Sequence, residues 1–402
     1  MRKISILKNT IQEYAWGSYD AIPALLGLKT PSEKPQAELW MGAHPKAPSL
    51  VKVEEQWVSL LELIENNPVD ILGKKIADRF NKKLPYLFKV LAAAKPLSIQ
   101  AHPNRIQARS GYQRENDLGI PIDAFQRNYR DDHHKPECIC ALTPFWVLSG
   151  FRKISDILFD FKTLSPMGLE SEIHDLEKSN SSQGLKRFFK ALIDLPPDRK
   201  RTIIQDVLSL AEEKTSDDPV YRWIMTLNEE FPNDIGIFSP ILLNLICLKP
   251  GQAMFLPPGD LHAYLEGTSI ELMANSDNVL RGGLTSKNID VNELLEILNF
   301  SERQIDILEP RQIRDGEYRY HTDADEFCLS VLLLKKDKVF YSETDRSVEM
   351  LLCTQGQATI SDFDLDEHIV IEKGVSVIIP AAVKAYAIEG NAEFYKAAVP
   401  TE

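Results

Sequence analysis

The sequence has 402 residues, 44% of them hydrophobic and 26% charged, which suffices for about two or three globular domains. The formal net charge of −13 argues against nucleic acid and anionic membranes as partners, since both require a basic surface. Apolar runs stay below the ~20 residues of a membrane span, and the N-terminus lacks a signal-peptide core, so a cytoplasmic protein is expected.

Three regions with different residue patterns follow one another along the chain. Residues 1–151 contain short apolar runs broken by Pro and Gly, which predict strands. Residues 152–240 carry apolar residues at three- and four-residue steps, the pattern of amphipathic helices, and strand-like runs return afterwards. The sequence therefore predicts a mainly β protein with an α insertion, divided into a first β domain (1–151 and 241–309), a helical insertion (152–240) and a C-terminal β domain (310–402).

Gln100 and His102 form the first polar pair of interest, in SIQAHP. Residues i and i+2 of a strand project to the same face, so the two side chains would point the same way. Taken alone, the pair is equally consistent with the solvated face of a strand.

Glu137 opens an otherwise apolar run, ECICALTPFWVL, and would share a strand face with Lys135. A carboxylate that enters a buried strand is costly unless it is paired or bound to a metal ion. The alternative is that Glu137 lies at an exposed strand end.

Gly251, Pro257, Gly259 and His262 have the spacing G-x5-P-x-G-x2-H, which matches the second conserved motif of cupins. The glycines permit tight turns and the proline ends a strand, so that the histidine would point into a barrel mouth. A core histidine that follows a Pro-Gly turn is the alternative interpretation.

The same interval recurs near the C-terminus. Gly374 and Pro380 are again separated by five residues, and the second copy also closes on Ala-Tyr. Lys384 or Ala385 stands where the first copy has His262. The repeat predicts a second barrel that has no metal site.

Together, Gln100, His102, Glu137 and His262 make a set of two nitrogen and two oxygen ligands with one negative charge. Such a set suits Zn²⁺ and leaves room for a water or a sugar oxygen, as Lewis-acid catalysis requires.

Five blocks of the first three quarters of the chain closely resemble type I mannose-6-phosphate isomerases (phosphomannose isomerases) of the cupin superfamily. The blocks are QEYAWGS (12–18), AELWMGAHPKAPS (37–49), LFKVLAAAKPLSIQAHPN (87–104), HKPE (134–137) and LPPGDLHAYLEG through NSDNVLRGGLTSK (256–287). The resemblance implies cupin (jelly-roll-like) barrels, one metal-bearing and one degenerate, with one Zn²⁺ per chain at the four residues above. It also places Arg281 in the catalytic pocket.

The resemblance further implies interconversion of mannose 6-phosphate and fructose 6-phosphate through a cis-enediol. Such a reaction needs a base and a group that stabilises the developing oxyanion. Arg281, which is always charged, suits an enediolate or a phosphate. The candidates for proton transfer are Lys135, Glu271, and Asp277 with His134 as a pair.

Substrate or phosphate contacts are expected from Ser98, Lys89, Lys287, Trp16 and Tyr264. Lys89 could instead be a strand-edge lysine whose stem covers apolar surface, and Trp16 could be a core residue.

Two other functions remain open at this point: a non-catalytic cupin module that binds sugars, and an isomerase of another hexose or hexose phosphate. The expected partner is a small sugar phosphate, and the expected state is a monomer.

Overall fold

The computed structural model describes residues 1–214, 218–287, 289–363, 365 and 367–401. Strands predominate, and five consecutive helices interrupt them between residues 154 and 230. The prediction of a mainly β protein with a helical insertion is thereby confirmed. Within the described ranges, no helix combines the length and the apolar character that crossing a bilayer requires.

Strands alternate with short helices in the first 151 residues. They are β1 (Ser5–Lys8), β2 (Thr10–Gln12), α1 (Ala21–Leu25), β3 (Glu38–Gly42), β4 (Leu50–Val53), β5 (Gln56–Ser59), α2 (Leu60–Asn66), α3 (Pro68–Leu72), α4 (Lys74–Arg79), β6 (Tyr86–Ala93), β7 (Ile99–Ala101), α5 (Arg105–Asp117), β8 (Glu137–Ala141) and β9 (Phe145–Phe151).

The inserted helices are amphipathic, as their sequence pattern predicts. They are α6 (Ile154–Leu164), α7 (Glu170–Ser179), α8 (Ser182–Ile193), α9 (Pro197–Glu212) and α10 (Pro219–Glu230). In α8, for example, Leu185, Phe188 and Leu192 are buried at helical spacing, and the Ser181 hydroxyl caps the first turn by accepting from the Gly184 amide. The helices share one apolar core with β9, because Phe161 and Phe188 pack in the same cluster as Phe151.

The remaining elements return to β structure. They are a 3-10 turn (Ile235–Phe238), α11 (Ser239–Leu242), β10 (Leu243–Leu248), β11 (Ala253–Leu256), β12 (His262–Ala274), β13 (Leu280–Gly283), α12 (Val291–Ile297), β14 (Arg311–Arg314), β15 (Glu317–Tyr320), β16 (Cys328–Leu334), β17 (Val339–Tyr341), β18 (Glu349–Asp362), β19 (Glu367–Glu372), β20 (Ser376–Ile379) and β21 (Tyr386–Ala398).

Two sheets contain these strands. The first sheet has ten strands along the path β10-β9-β12-β6-β3-β2, with β7, β8, β11 and β13 attached beside it. The second sheet has eleven strands along the path β14-β15-β16-β21-β18-β20-β1-β4-β5, with β17 and β19 attached. For the residues that are described, these pairings trace open, branched paths, so the predicted cupin (jelly-roll-like) barrels take the form of two sheets that are not closed barrels.

The second sheet recruits strands from the N-terminus. Ser5 of β1 pairs with Ile378 of β20, and Leu7 pairs with Val51 of β4. Strand pairing therefore crosses the predicted boundary between the first and the C-terminal β domains, and that three-part division stays a prediction.

Strand β12 organises the first sheet. Its first half pairs with β9 and, at His262, with β7, whereas its second half pairs with β6 and β8. Gly267 lies where the two halves meet, with a φ of +122°, and a Cβ there would lie 2.5 Å from the Pro144 carbonyl oxygen. Glycine is therefore required at this position. The strand carries His262 at one end and Glu271 near the other.

Candidate active site

Two histidines converge on one glutamate inside the first sheet. The Nε2 atom of His102 lies 3.2 Å from Oε1 of Glu137, and Nε2 of His262 lies 3.5 Å from Oε2. The ligand atoms of all three side chains lie within 4.8 Å of one another, and each residue is at most 2% exposed. Such a buried His-Glu-His group is a candidate metal centre.

Backbone carbonyls fix the orientation of both imidazoles. Nδ1 of His102 lies 2.7 Å from the carbonyl oxygen of Asn278, and Nδ1 of His262 lies 2.9 Å from that of Asp260. Each Nδ1 therefore carries the proton and donates it, which leaves the Nε2 lone pairs free. In the described part of the chain, neither buried Nε2 atom makes a hydrogen bond of ordinary geometry. A zinc ion would satisfy both atoms, so the residues fit the metal.

The charge states also suit a metal. Burial, together with the nearby Lys135 ammonium, lowers the pKa of His102 to about 4, so the imidazole is neutral at neutral pH. Burial alone would raise the pKa of Glu137, but the nearby Lys135 ammonium outweighs burial and holds it well below its usual range. Neutral imidazole and ionised carboxylate are the states in which these groups bind metal ions.

Strand register places Gln100 beside His262 and Arg281 in the first sheet. In β7, Gln100 pairs with His262 of β12 on one side and with Arg281 of β13 on the other. Directly paired residues of antiparallel strands project to the same face. Gln100 therefore faces the candidate centre between His262 and Arg281.

The glycines of the cupin-like motif do have left-handed backbones. The φ angles are +84° at Gly251 and +87° at Gly259, and the Gly259 amide donates to the His102 carbonyl at 2.8 Å. The turn before β12 thus ties the two histidine-bearing segments together.

Lys135 and Tyr264 surround Glu137. The Lys135 ammonium lies 2.9 Å from Oε1 of Glu137, and the Tyr264 hydroxyl donates to Oε2 at 2.9 Å. Both side chains are buried. The structure thus places Tyr264 on the candidate metal ligand Glu137, and its predicted substrate contact stays a prediction.

Lys89 is held by carboxylates. Its ammonium lies 2.9 Å from Glu271 and 3.5 Å from Glu38, and all three side chains are at most 10% exposed. Burial would lower the pKa of Lys89, but the two carboxylates outweigh it and keep the lysine charged. Burial raises the pKa of Glu271. Lys89 therefore lies in a buried ion-pair network, and its predicted phosphate contact stays a prediction.

His134 and Asp277 do not form the predicted pair. Nε2 of His134 lies 2.8 Å from Oε1 of Glu326, which precedes β16 of the second sheet. Asp277 instead contacts Lys46 at 2.8 Å and His44 at 3.6 Å. His44 and Lys46 outweigh the effect of burial and depress the pKa of Asp277.

A group of four cations, called the basic pocket here, lies beside this centre: Arg281, Lys287, Arg130 and Lys46. Burial and Arg130 lower the pKa of the Arg281 guanidinium. Arg281 lowers the pKa of Lys287, and burial, Arg130 and Lys46 lower it further. Like charges that lower one another's pKa in this way lie close together, and such a cluster is a candidate site for an anion. Sequence reasoning included Arg281 and Lys287 but missed Arg130 and Lys46.

Ser98 and Trp16 are half-buried. Ser98 immediately precedes β7, and Trp16 packs against the apolar cluster that contains Tyr264 and Phe145. Their substrate contacts stay predictions.

Comparisons with known proteins agree on one family. The model of the catalytic domain of type I phosphomannose isomerase matches residues 4–154, and the model of its helical insertion domain matches residues 167–243. Mannose-6-phosphate isomerase of Salmonella typhimurium is 40% identical over 93% of this chain and 94% of its own length. The Escherichia coli enzyme is 39% identical over 96% and 97%.

This chain belongs to the type I phosphomannose isomerase family.

Solved structures of phosphomannose isomerases have the same fold. A variant of the Salmonella typhimurium protein superposes with a TM-score of 0.93 at 36% identity, covering 98% of this chain and 99% of that one. A zinc-bound mannose 6-phosphate isomerase has a TM-score of 0.90 at 36% identity, with the same coverage. The zinc-bound relative and the buried His-Glu-His group together support zinc as the cofactor of this phosphomannose isomerase.

Asn278 is a site residue that sequence reasoning missed. Its carbonyl orients His102, its side-chain oxygen accepts from the Arg130 amide at 2.7 Å, and its side-chain nitrogen donates to the carbonyls of Asp131 and His133. It thereby joins the loop before β13 to the loop before β8. The block NSDN contains this residue, but its partners lie about 150 residues away, so local pattern gives no signal for the role.

Proposed function

We propose that this phosphomannose isomerase interconverts mannose 6-phosphate and fructose 6-phosphate at a zinc ion held by Gln100, His102, Glu137 and His262. The observation that carries the proposal is the pair of buried Nε2 atoms that converge on Glu137 beside the basic pocket. A metal centre stabilises charge on sugar oxygens, and the basic pocket binds a phosphate at the other end of the same molecule.

Phosphate binding positions the reacting carbons. Arg281 offers a planar fork of donors that matches a phosphate or an enediolate, and Arg130 and Lys287 add charge. Binding energy gained on the phosphate can thus hold C1 and C2 near the metal centre. An unphosphorylated sugar would lose this anchor.

The residues around Glu137 stabilise negative charge. A bound zinc ion supplies Lewis-acid stabilisation of charge on the sugar oxygens. The buried Lys135 ammonium adds a second positive charge at the same carboxylate. Tyr264 holds Glu137 in place through its hydroxyl hydrogen bond.

The ion pairs of Asp277 and Glu271 reduce the number of candidates for the proton-transfer group. The depressed pKa of Asp277 makes its carboxylate a weak base, so we infer that it anchors Lys46 and His44. Glu271 is 3% exposed and paired with Lys89, so we infer a charge-balancing role. Lys135 and His134, which both shortly precede the proposed metal ligand Glu137 in sequence, are then the candidates to test by substitution.

Turnover with three sugars tests this function. We expect rapid interconversion of mannose 6-phosphate, and a large loss with mannose, because the basic pocket then has no anion to bind. We also expect a large loss with glucose 6-phosphate, which keeps the phosphate but inverts C2. Equal rates with mannose and mannose 6-phosphate would contradict the phosphate role of the pocket, and binding of all three without turnover would favour a non-catalytic sugar-binding protein.

Three further expectations belong to this proposal: a monomeric state, a cytoplasmic location, and a division into domains at about 151, 240 and 309. Sedimentation tests the first, fractionation of cells the second, and limited proteolysis the third.

A further inference from the structure

Glu326 of the second sheet reaches into the active-site region. It lies directly before Phe327 and β16, and its Oε1 atom lies 2.8 Å from Nε2 of His134 and 2.8 Å from Nη2 of Arg105. The neighbouring Asp325 contacts the same Nη2 of Arg105 at 2.7 Å. Two successive carboxylates of the second sheet therefore hold two residues that belong to the first sheet's metal-binding segments.

His134 and Arg105, which these carboxylates contact, are each separated from a proposed metal ligand by the same number of residues in the sequence. His134 precedes Glu137 by three residues, and Arg105 follows His102 by three residues. Arg105 is also the first residue of α5, and Glu137 is the first residue of β8. Glu326 thus links the segment that delivers His102 to the segment that delivers Lys135 and Glu137, and Asp325 holds Arg105 from the same side. The two segments also touch directly, since Nε of Arg105 lies 3.0 Å from Nε2 of His134.

The position of Glu326 is well fixed. Its neighbour Phe327 and nearby Ala324 are buried in the apolar core that the two sheets share. The Glu326 side chain is 10% exposed, whereas Asp325 is 48% exposed and is supported from the other side by Arg79 at 2.7 Å. His134 and Arg105 keep the pKa of Glu326 below its usual range although burial alone would raise it. A buried charge in a fixed position constrains its partners more tightly than an exposed one does.

We propose that Asp325 and Glu326 form a positioning clasp through which the second sheet sets the separation of the two metal-ligand segments. Glu326 acts through His134 and Arg105, and it is therefore a positioning residue. The proposal rests on the zinc centre proposed above, and it gives the second sheet a role in building that centre.

The competing interpretation is an ion pair that only joins the two sheets. Such a pair would contribute to stability but would leave zinc affinity and the rate of turnover unchanged. Loss of a partner that orients a ligand typically weakens metal binding about 10- to 100-fold, so the two interpretations differ in a measurable quantity.

The test compares Glu326→Ala and Glu326→Gln with Glu343→Ala in the full-length protein. Glu343 is an exposed acid that is ion-paired with Arg314 in the same half of the chain, so it is a matched control for loss of a salt bridge. Zinc affinity is measured by competition with a chromophoric chelator, and thermal unfolding is measured with and without zinc. Amide hydrogen exchange of residues 130–137 reports on the loop before β8 that carries His134 and Lys135. The kinetic constants kcat and KM are measured with mannose 6-phosphate.

We expect about a tenfold weaker zinc affinity and a lower kcat in Glu326→Ala, with KM changed less than twofold and faster exchange over 130–137. Glu326→Gln keeps the shape and an acceptor oxygen, so it should fall between Glu326→Ala and the unmodified protein, and Glu343→Ala should match the unmodified protein. Unchanged zinc affinity and exchange in both Glu326 variants would overturn the clasp, even if unfolding occurs at a lower temperature. Because zinc affinity and exchange need no substrate, failure of the isomerase assignment would be recognised separately by absent turnover in the unmodified protein.

Discussion

Glu137 and Glu349 occupy equivalent positions in the two sheets. Glu137 of β8 pairs with Leu256, which lies five residues after Gly251, and Glu349 of β18 pairs with Ile379, which lies five residues after Gly374. Each carboxylate also accepts a hydrogen bond at 2.9 Å from the tyrosine of an Ala-Tyr pair, Tyr264 or Tyr386. The internal repeat seen in the sequence is therefore present in the strand register.

The partners of the two glutamates differ in kind. Glu137 faces His102, His262 and the Lys135 ammonium, whereas Glu349 lies 3.2 Å from the Lys396 ammonium and 3.5 Å from the Arg346 guanidinium. Protein cations thus neutralise the acid in the second sheet, where the first sheet offers ligands for a metal ion.

The buried cluster around Glu349 predicts a pH-dependent stability. Burial would raise the pKa of Glu349, but Lys396 and Arg346 outweigh it and lower the pKa below the usual value near 4.5. A carboxyl with a lowered folded-state pKa contributes stability above its unfolded-state pKa, and this stability is lost as the pH falls below about 4.5. Glu349→Gln should reduce the free energy of unfolding by about 3–5 kcal/mol at pH 7.

Urea unfolding at pH 7 and at pH 4 measures this effect. The difference between Glu349→Gln and the unmodified protein should shrink at the lower pH, because below about 4.5 the unfolded-state carboxyl takes up a proton that folding must release. An equal difference at both pH values would show that the charge of Glu349 does not cause the loss of stability in the variant. Zinc affinity should not change, since this cluster lies outside the metal centre.

Removal of zinc should lower both activity and stability. Chelation leaves the two buried Nε2 atoms without a partner, so turnover should be lost, and it should return when zinc is added back. At a free zinc concentration about 100 times its dissociation constant, binding stabilises the folded state by about 2.7 kcal/mol. Calorimetry of the zinc-free and zinc-loaded forms measures this difference. Full activity in protein shown by elemental analysis to contain no metal would contradict the zinc assignment.

The candidate metal ligands could be predicted from local sequence patterns because each of them has a local physical signature. Gln100 and His102 share strand parity, Glu137 is an acid entering an apolar run, and His262 follows a glycine-proline turn. The roles of Asn278 and Glu326 have no such signature, since each depends on contacts with residues far away in the sequence. The same limit explains why Lys89 looked like a phosphate ligand: its carboxylate partners come from neighbouring strands.

Substitution of Lys89 by methionine distinguishes its two interpretations. If the ammonium balances Glu271 and Glu38, removing it leaves two buried carboxylates without their cation, and the free energy of unfolding should fall by about 3–5 kcal/mol. A phosphate contact would instead raise KM for mannose 6-phosphate with little change in stability. Denaturant unfolding and steady-state kinetics on the same preparation separate these outcomes, and Lys95→Met, which removes an exposed lysine paired with Glu230, is the control.

Arg130 should contribute to phosphate binding. It lowers the pKa of both Arg281 and Lys287, which places its charge within the basic pocket. A hydrogen bond to a charged group is worth about 1.5–3 kcal/mol, so Arg130→Ala should raise KM for mannose 6-phosphate roughly 10- to 100-fold. Inorganic phosphate should also inhibit this variant less strongly. An unchanged inhibition constant for phosphate would remove Arg130 from the pocket, and Arg109→Ala, at an α5 position that is largely exposed, is the control.

Arg281 should affect turnover more than zinc binding. Its strand neighbour is Gln100, but its guanidinium belongs to the basic pocket, so Arg281→Ala removes a donor to the substrate and leaves the metal ligands in place. Loss of one donor that stabilises a developing oxyanion typically costs about 100- to 1,000-fold in kcat. Arg281→Lys keeps the charge without the planar fork, and it should recover part of that loss. Zinc content and kcat measured together on both variants decide the role, because a parallel loss of zinc would mean that Arg281 supports β7 and Gln100 and does not act on the substrate.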